Sequence, residues 1–154
     1  MPAPQTAAQN EPRVFVDADV LFAGAVSPSE AGASLVLLRL AEITLIKAIT
    51  SQQEIVEAER NLAAKLPQAL PEFRLLTSRC LQVVPDPAPA DLARHAGAAH
   101  PKDLPILVAA VRERCPWLVT FRTRHYRPGH ASVTVLRPGE FVLQVRDLLT
   151  RLAP

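Results

Sequence analysis

The chain has 154 residues, with 17 Lys and Arg against 15 Asp and Glu, a formal charge of +2, 49% hydrophobic and 21% charged residues. That length suits one domain with a real core, and no apolar run reaches the roughly 18 residues of a membrane span. A charge of +2 does not by itself imply a nucleic-acid partner, and Cys80 and Cys115 have neither metal-site spacing nor a disulfide framework, which fits a reducing cytoplasm.

Residues 1–12, MPAPQTAAQNEP, lack the basic and apolar regions of a signal peptide and are expected to form a disordered tail ahead of a domain spanning 13–154. Val14–Val16 is a short β-branched and aromatic run, read as the first strand. SPSEAGASLVLLRLAE reads as a helix, with Ser27 or Ser29 as its cap and Leu35, Leu38 and Ala41 or Glu42 at helical spacing. Ile43–Thr50 reads as a second strand. Ser51, three residues before Glu54, has the pattern of a capping box opening a helix. Pro67 and Pro71 break the next part into a further helix over Pro71–Arg79, and Cys80–Pro85 reads as a third strand. A helix is expected over Asp91–Ala98, and DLPILVAAVRER reads as a helix apolar nearly all round, hence buried. WLVTF and SVTVL are the last two strands, and RPGEFVLQVRDLLTRL is the closing helix. Strands alternating with helices imply a parallel sheet with helices on both faces. Sites in such sheets lie beyond the C-terminal ends of the strands.

Asp17 stands at that end of the first strand, with Asp19 two residues on. A carboxylate out of water costs several kcal/mol unless a cation meets it. Both acids also read as caps of the turn leaving the strand. Glu57 shares the side of its helix opposite the stripe of Ile55, Ala58, Leu62 and Leu66, and by itself reads as a solvated side chain. Asp103 precedes Leu104 and Pro105 at a helix start, where a carboxylate satisfies free amides.

Taken together, VFVDADVLFAG, SQQEIVEAERNL, KDLPILVAAV and LVTFRTRHY resemble the PIN-domain family in order and spacing, over about Val14 to Phe141. The resemblance implies a PIN-like three-layer α/β/α sandwich on a central parallel sheet of about five strands. It carries Asp17, Glu57 and Asp103 over as the metal-coordinating, catalytic acids, with Asp19 near enough to hold a metal-bound water. It further implies an Mg2+- or Mn2+-dependent endoribonuclease, the VapC-type toxin of a toxin–antitoxin pair, with RNA and an antitoxin as partners. Many members dimerise, and the apolar segments Ser34–Ala41 and Phe141–Leu152 are expected to pair in a homodimer.

Arg122 stands where the family has Asn, and His125 where it has a fourth acid. One carboxylate is lost and one positive charge added, and imidazole suits Mn, Fe or Zn better than Mg. His125 is an additional candidate ligand. Five arginines and one glutamate give residues 112–127 a local charge of +4, with Trp117, Phe121 and Tyr126 among them. Such a mixture suits single-stranded RNA. Trp117 and Phe121 read as core, whereas Arg122, Arg124 and Arg127 are candidates for phosphate contact. Two alternatives remain: a degenerate PIN domain that binds RNA or protein without cleaving, and a haloacid-dehalogenase-type phosphatase suggested by VDADVLF, for which no paired acidic motif follows.

Overall fold

The computed structural model describes residues 11–26 and 32–153; the expected tail, apart from Glu11 and Pro12, and the candidate caps Ser27 and Ser29 lie outside them. Five strands, β1 (Arg13–Val16), β2 (Lys47–Ser51), β3 (Leu81–Val84), β4 (Trp117–Val119) and β5 (Thr134–Leu136), form one sheet in the order β3-β2-β1-β4-β5. Every neighbouring pair is parallel, with Val14 opposite Ala48 and Trp117. The order reverses direction at β1, so the crevice between β1 and β4 is the place where such a sheet accepts ligands.

Both faces of the sheet are covered, which is why β1 is a continuous apolar run rather than an alternating one. Val14, Val16, Ala48, Val119 and Leu136 pack under one helical layer, drawn from α1 (Ala18–Val26), α2 (Ala33–Glu42), α3 (Gln52–Lys65), α4 (Leu70–Cys80) and α7 (Pro138–Arg151). Phe15, Ile49 and Leu118 point to the other face, closed by α6 (Leu104–Arg112) with Leu92 of α5 (Pro89–Arg94). The molecule is therefore a three-layer α/β/α sandwich, as the alternation of elements implied.

Several elements differ from the sequence-based expectation. Helix α1 was not anticipated. It starts directly after Asp17, whose carbonyl accepts the N–H groups of Val20 and Leu21 at 3.1 and 3.2 Å. One residue ends the strand and begins the helix, leaving no turn residues to announce the change. Gly24 lets α1 lie close on α2, for a Cβ there would stand 2.7 Å from Leu38 Cδ1. The second strand starts at Lys47 rather than Ile43, because Ile43, Thr44 and Leu45 donate back to the carbonyls of Arg39, Ala41 and Leu40 and close α2, with Thr44 at φ 64°. The capping box of Ser51 and Glu54 does not form: Ser51 makes no side-chain cap bond, and Asp86 instead accepts the Gln53 N–H at 3.0 Å. Helices α2 and α7, expected to pair between copies, pack on one another within the chain, and Leu143, Leu148, Leu149 and Leu152 of the α7 region stay exposed.

Candidate functional site

The site lies at the C-terminal edge of the sheet, where β1, β2 and β4 end side by side. Asp17 is fully buried. Its N–H continues the β1–β4 pairing by donating to the Val119 carbonyl at 3.0 Å, which fixes the residue against β4. Its Oδ1 accepts the Ala18 N–H at 2.7 Å, and its Oδ2 accepts the Thr120 hydroxyl at 2.8 Å and the Tyr126 hydroxyl at 3.0 Å. Burial alone would raise this carboxyl. Hydrogen bonds from Glu54 and Thr120, the Arg122 charge and the Tyr126 hydroxyl together outweigh it, and Asp17 stays below the usual carboxylate range.

Glu54, given to helix capping by its spacing from Ser51, is instead fully buried against Asp17, and its Oε2 accepts the same Ala18 N–H at 2.6 Å. Burial, then the hydrogen bond and charge of Asp17, push its carboxyl up to about 9, so Glu54 keeps its proton at neutral pH and donates it to Asp17. Sequence reasoning missed Glu54 as a member of the site. The available signal was its place one helical turn before Glu57 on the same helix.

Asp103 occupies the N-cap position of α6, yet its side chain makes no cap bond. Its nearly inaccessible carboxylate turns to the loop after β4, where His125 Nδ1 lies 2.8 Å from Oδ2 and Arg122 Nη2 lies 3.2 Å from Oδ1. Backbone bonds hold the two loops together: the His100 N–H donates to the His125 carbonyl at 2.7 Å, and the Asp103 N–H to the His100 carbonyl at 2.8 Å.

Arg122 occupies the centre. Its Nη2 is 3.4 Å from Asp17 Oδ2 as well as 3.2 Å from Asp103 Oδ1, and its Nε is 3.8 Å from Asp19 Oδ2. Asp17 and Asp103 thus face a single nitrogen atom. Asp19 Oδ2 also accepts the Phe121 N–H at 3.1 Å, and burial and the Asp17 charge raise its carboxyl to about 6. Asp19 Oδ1 and Arg122 Nε are buried and have no hydrogen-bond partner among the described residues.

The remaining candidates lie around this centre. Glu57 is half-buried on α3, in a cleft of about 580 Å³ that it lines with Gln53, Arg60, Asp86, Lys102 and Asp103. Arg124 and Arg127 are exposed on and just after the turn Thr123–Tyr126, and His125 is 46% exposed beside them. The expectation that Phe121 is core is corrected: β4 ends at Val119, the alternation stops there, and the ring is 41% exposed at the rim. Trp117 is half-buried and packs edge-on against Phe141, with ring centroids 6.1 Å apart. Arg112 belongs elsewhere, bonded to the Pro85 carbonyl and to Glu113.

The model of one family, the PIN domain, matches residues 13–124, most of the chain and every carboxylate described above. The chain belongs to the PIN-domain family. That match includes the first strand, on which the phosphatase alternative rested. Comparison with curated protein sequences gives no match. Among solved structures, the PIN domain is similar to a chain of the crystal structure of VapBC2 from Rickettsia felis bound to a DNA fragment from their promoter, with a TM-score of 0.60 and 14% identity over 81% of this chain and 98% of that one. At that identity the likeness speaks for the fold.

PIN domains of the VapC type generally use divalent ions, and the oxygen donors here have the chemistry for one. Asp17 and Asp103 offer hard carboxylate oxygens converging on a cation, and Asp19 Oδ1 is a buried oxygen without a hydrogen-bond partner among the described residues. In the arrangement described, the cation they meet is the Arg122 guanidinium. Among the described residues no three His, Cys, Asp or Glu side chains stand close enough together to hold an ion as a set. No described helix is long and apolar enough to cross a membrane.

Proposed function

We propose that this PIN domain is an endoribonuclease and the toxin component of a toxin–antitoxin pair. The convergence of the buried Asp17 and Asp103 carboxylates on one cation, at the crevice between β1 and β4, carries the reading. Buried carboxylates so close repel each other unless a positive charge stands between them. A scissile phosphate with its ion supplies charges of the kind such a cleft handles. Asp17 and Asp103 would hold Mg2+ or Mn2+, with Asp19, Glu57 and His125 at the margins, and a bound ion supplies Lewis-acid stabilisation of the phosphate.

The chain's own groups account for the rest. Tyr126 and Thr120 hold the Asp17 carboxylate in one orientation, and Glu54 presses on it from behind with a proton rather than a second charge. The exposed Arg124 and Arg127, with Lys102 in the cleft beside Asp103, are the proposed phosphate contacts, and the exposed Phe121 ring offers a base a stacking surface. An antitoxin partner is proposed by analogy with the VapBC2 complex. A homodimer in a cytoplasmic setting is proposed too, with the apolar groove between Ile46, Trp117, Leu148 and Leu149 as its contact.

The test is cleavage of single-stranded RNA by the purified chain in Mg2+, Mn2+ and EDTA, beside Asp103→Asn. Ion-dependent cleavage lost in Asp103→Asn supports the reading. One observation favours the non-cleaving alternative, the guanidinium already seated between the acids. Binding of RNA without cleavage in either ion would establish it.

A further inference from the structure

We propose that Arg122 exchanges between two partners, the Asp17–Asp103 pair and an RNA phosphate, and thereby couples RNA binding to divalent-ion binding. The inference rests on the reading of this cleft as a ribonuclease site, and takes it further by assigning a positioning role to the residue that departs from the family pattern.

The guanidinium is held, but poorly. Its contacts with Asp17, Asp103 and Asp19 run from 3.2 to 3.8 Å, long beside the 2.7–2.9 Å of a good charge-assisted bond. Three carboxylates share two of its nitrogens, and Nε makes no hydrogen bond among the described residues. The side chain is 29% exposed, so part of it already meets solvent. Its backbone is fixed independently, because the Arg122 N–H donates to Thr120 Oγ1 at 3.0 Å. No single acid here meets two of its nitrogens, whereas a phosphate can take the fork with two parallel oxygens.

While the guanidinium sits at contact distance from both acids, a divalent ion cannot take the same oxygens without facing a like charge. Moving Arg122 onto a phosphate exposes Asp17 and Asp103 and leaves them negative. RNA therefore strengthens ion binding, and by linkage the ion strengthens RNA binding by the same factor, roughly 5–150-fold for couplings of ordinary size. Arg122 would then meet the substrate phosphate from one side while the ion meets it from the other.

The experiment measures Mn2+ binding by calorimetry on the full chain, with and without a short, non-cleavable 2′-O-methyl oligouridylate. Wild type alone should bind Mn2+ at least roughly tenfold more weakly than Arg122→Asn, and the oligonucleotide should strengthen binding to wild type by a similar factor while leaving Arg122→Asn nearly unchanged. Adding Asp17→Asn to Arg122→Asn should abolish the gain. Equal Mn2+ affinity of wild type and Arg122→Asn, or an equal effect of the oligonucleotide on both, overturns the exchange and leaves the ribonuclease reading untouched. Should Arg122→Asn fail to fold, the wild-type arm decides alone: no strengthening of Mn2+ binding by the oligonucleotide refutes the coupling. Absence of cleavage by every variant, with the binding pattern as expected, sinks the ribonuclease reading and keeps the exchange.

Discussion

Asp17 and Glu54 meet at one backbone amide: the Ala18 N–H lies 2.7 Å from Asp17 Oδ1 and 2.6 Å from Glu54 Oε2. Two buried carboxyls on one donor are tolerable only if one of them is neutral, and the surroundings select Glu54 as the neutral one. This proton is as much a part of the site as the side chains are.

The first prediction follows from that proton. A carboxyl whose folded pKa stands above its unfolded value binds more protons when folded, so its contribution to stability is complete below 4.5 and is lost as pH rises towards about 9. Asp19, raised to about 6, adds the same slope at lower pH. Asp17, held below 3.8, has the opposite sign and acts only in more acid solution. Urea denaturation in EDTA should show wild-type stability falling as pH rises from about 4.5 towards about 9. Above about 6, where Asp19 no longer contributes, Glu54→Gln, whose amide can still donate, should be much flatter. Parallel curves for the two proteins would refute the shared proton.

Thr120 bears two bonds with one hydroxyl, donating to Asp17 Oδ2 and accepting the Arg122 N–H. Thr120→Val keeps the shape and leaves a buried carboxylate oxygen short of a donor. A loss of about 1–3 kcal/mol in chemical denaturation is expected.

In the absence of ions, Arg122→Ala leaves Asp17 and Asp103 without their cation. Full burial of the pair would make this loss severe. With the arginine 29% exposed, the expected destabilisation is a more modest ~1–3 kcal/mol, recovered in part by Mn2+ in a melting experiment.

Among the acids, RNA cleavage should fall by about a hundredfold or more in Asp17→Asn and in Asp103→Asn, and less in Asp19→Asn and Glu57→Gln, measured as single-turnover rates in Mn2+. The order reflects geometry, since Asp17 and Asp103 face one nitrogen whereas Asp19 and Glu57 stand further out. A Glu57→Gln loss equal to that of Asp17→Asn would place Glu57 at the centre as well.

The alternation of apolar strands and helices, and the position of Asp17 at a strand end, were legible because they depend on local pattern. Burial on both faces of the sheet demands continuous apolar strands, and β1 shows one. What escaped was decided by tertiary contact. Glu54 has the spacing of a helix cap, and only the neighbourhood of Asp17, distant along the chain, draws it inward. Asp103 has the position of a cap, and only the family resemblance singled it out as a site acid; His125 and Arg122 claim its carboxylate. Helix α1 carried no start signal because a strand residue supplies its first acceptor. Phe121 kept its strand alternation on paper, two residues past the point where β4 stops.

The bond from the Arg122 N–H to Thr120 Oγ1 involves no atom of the arginine side chain. Any residue but proline at 122 can therefore keep the same backbone bond beside Asp17. This position is a replaceable fitting in an unchanged mount: asparagine would leave the acids to a borrowed ion, whereas arginine gives them a charge encoded in the chain. The balance between those two ways of life is open to selection at a single codon, with the core already built and nothing in it to rebuild.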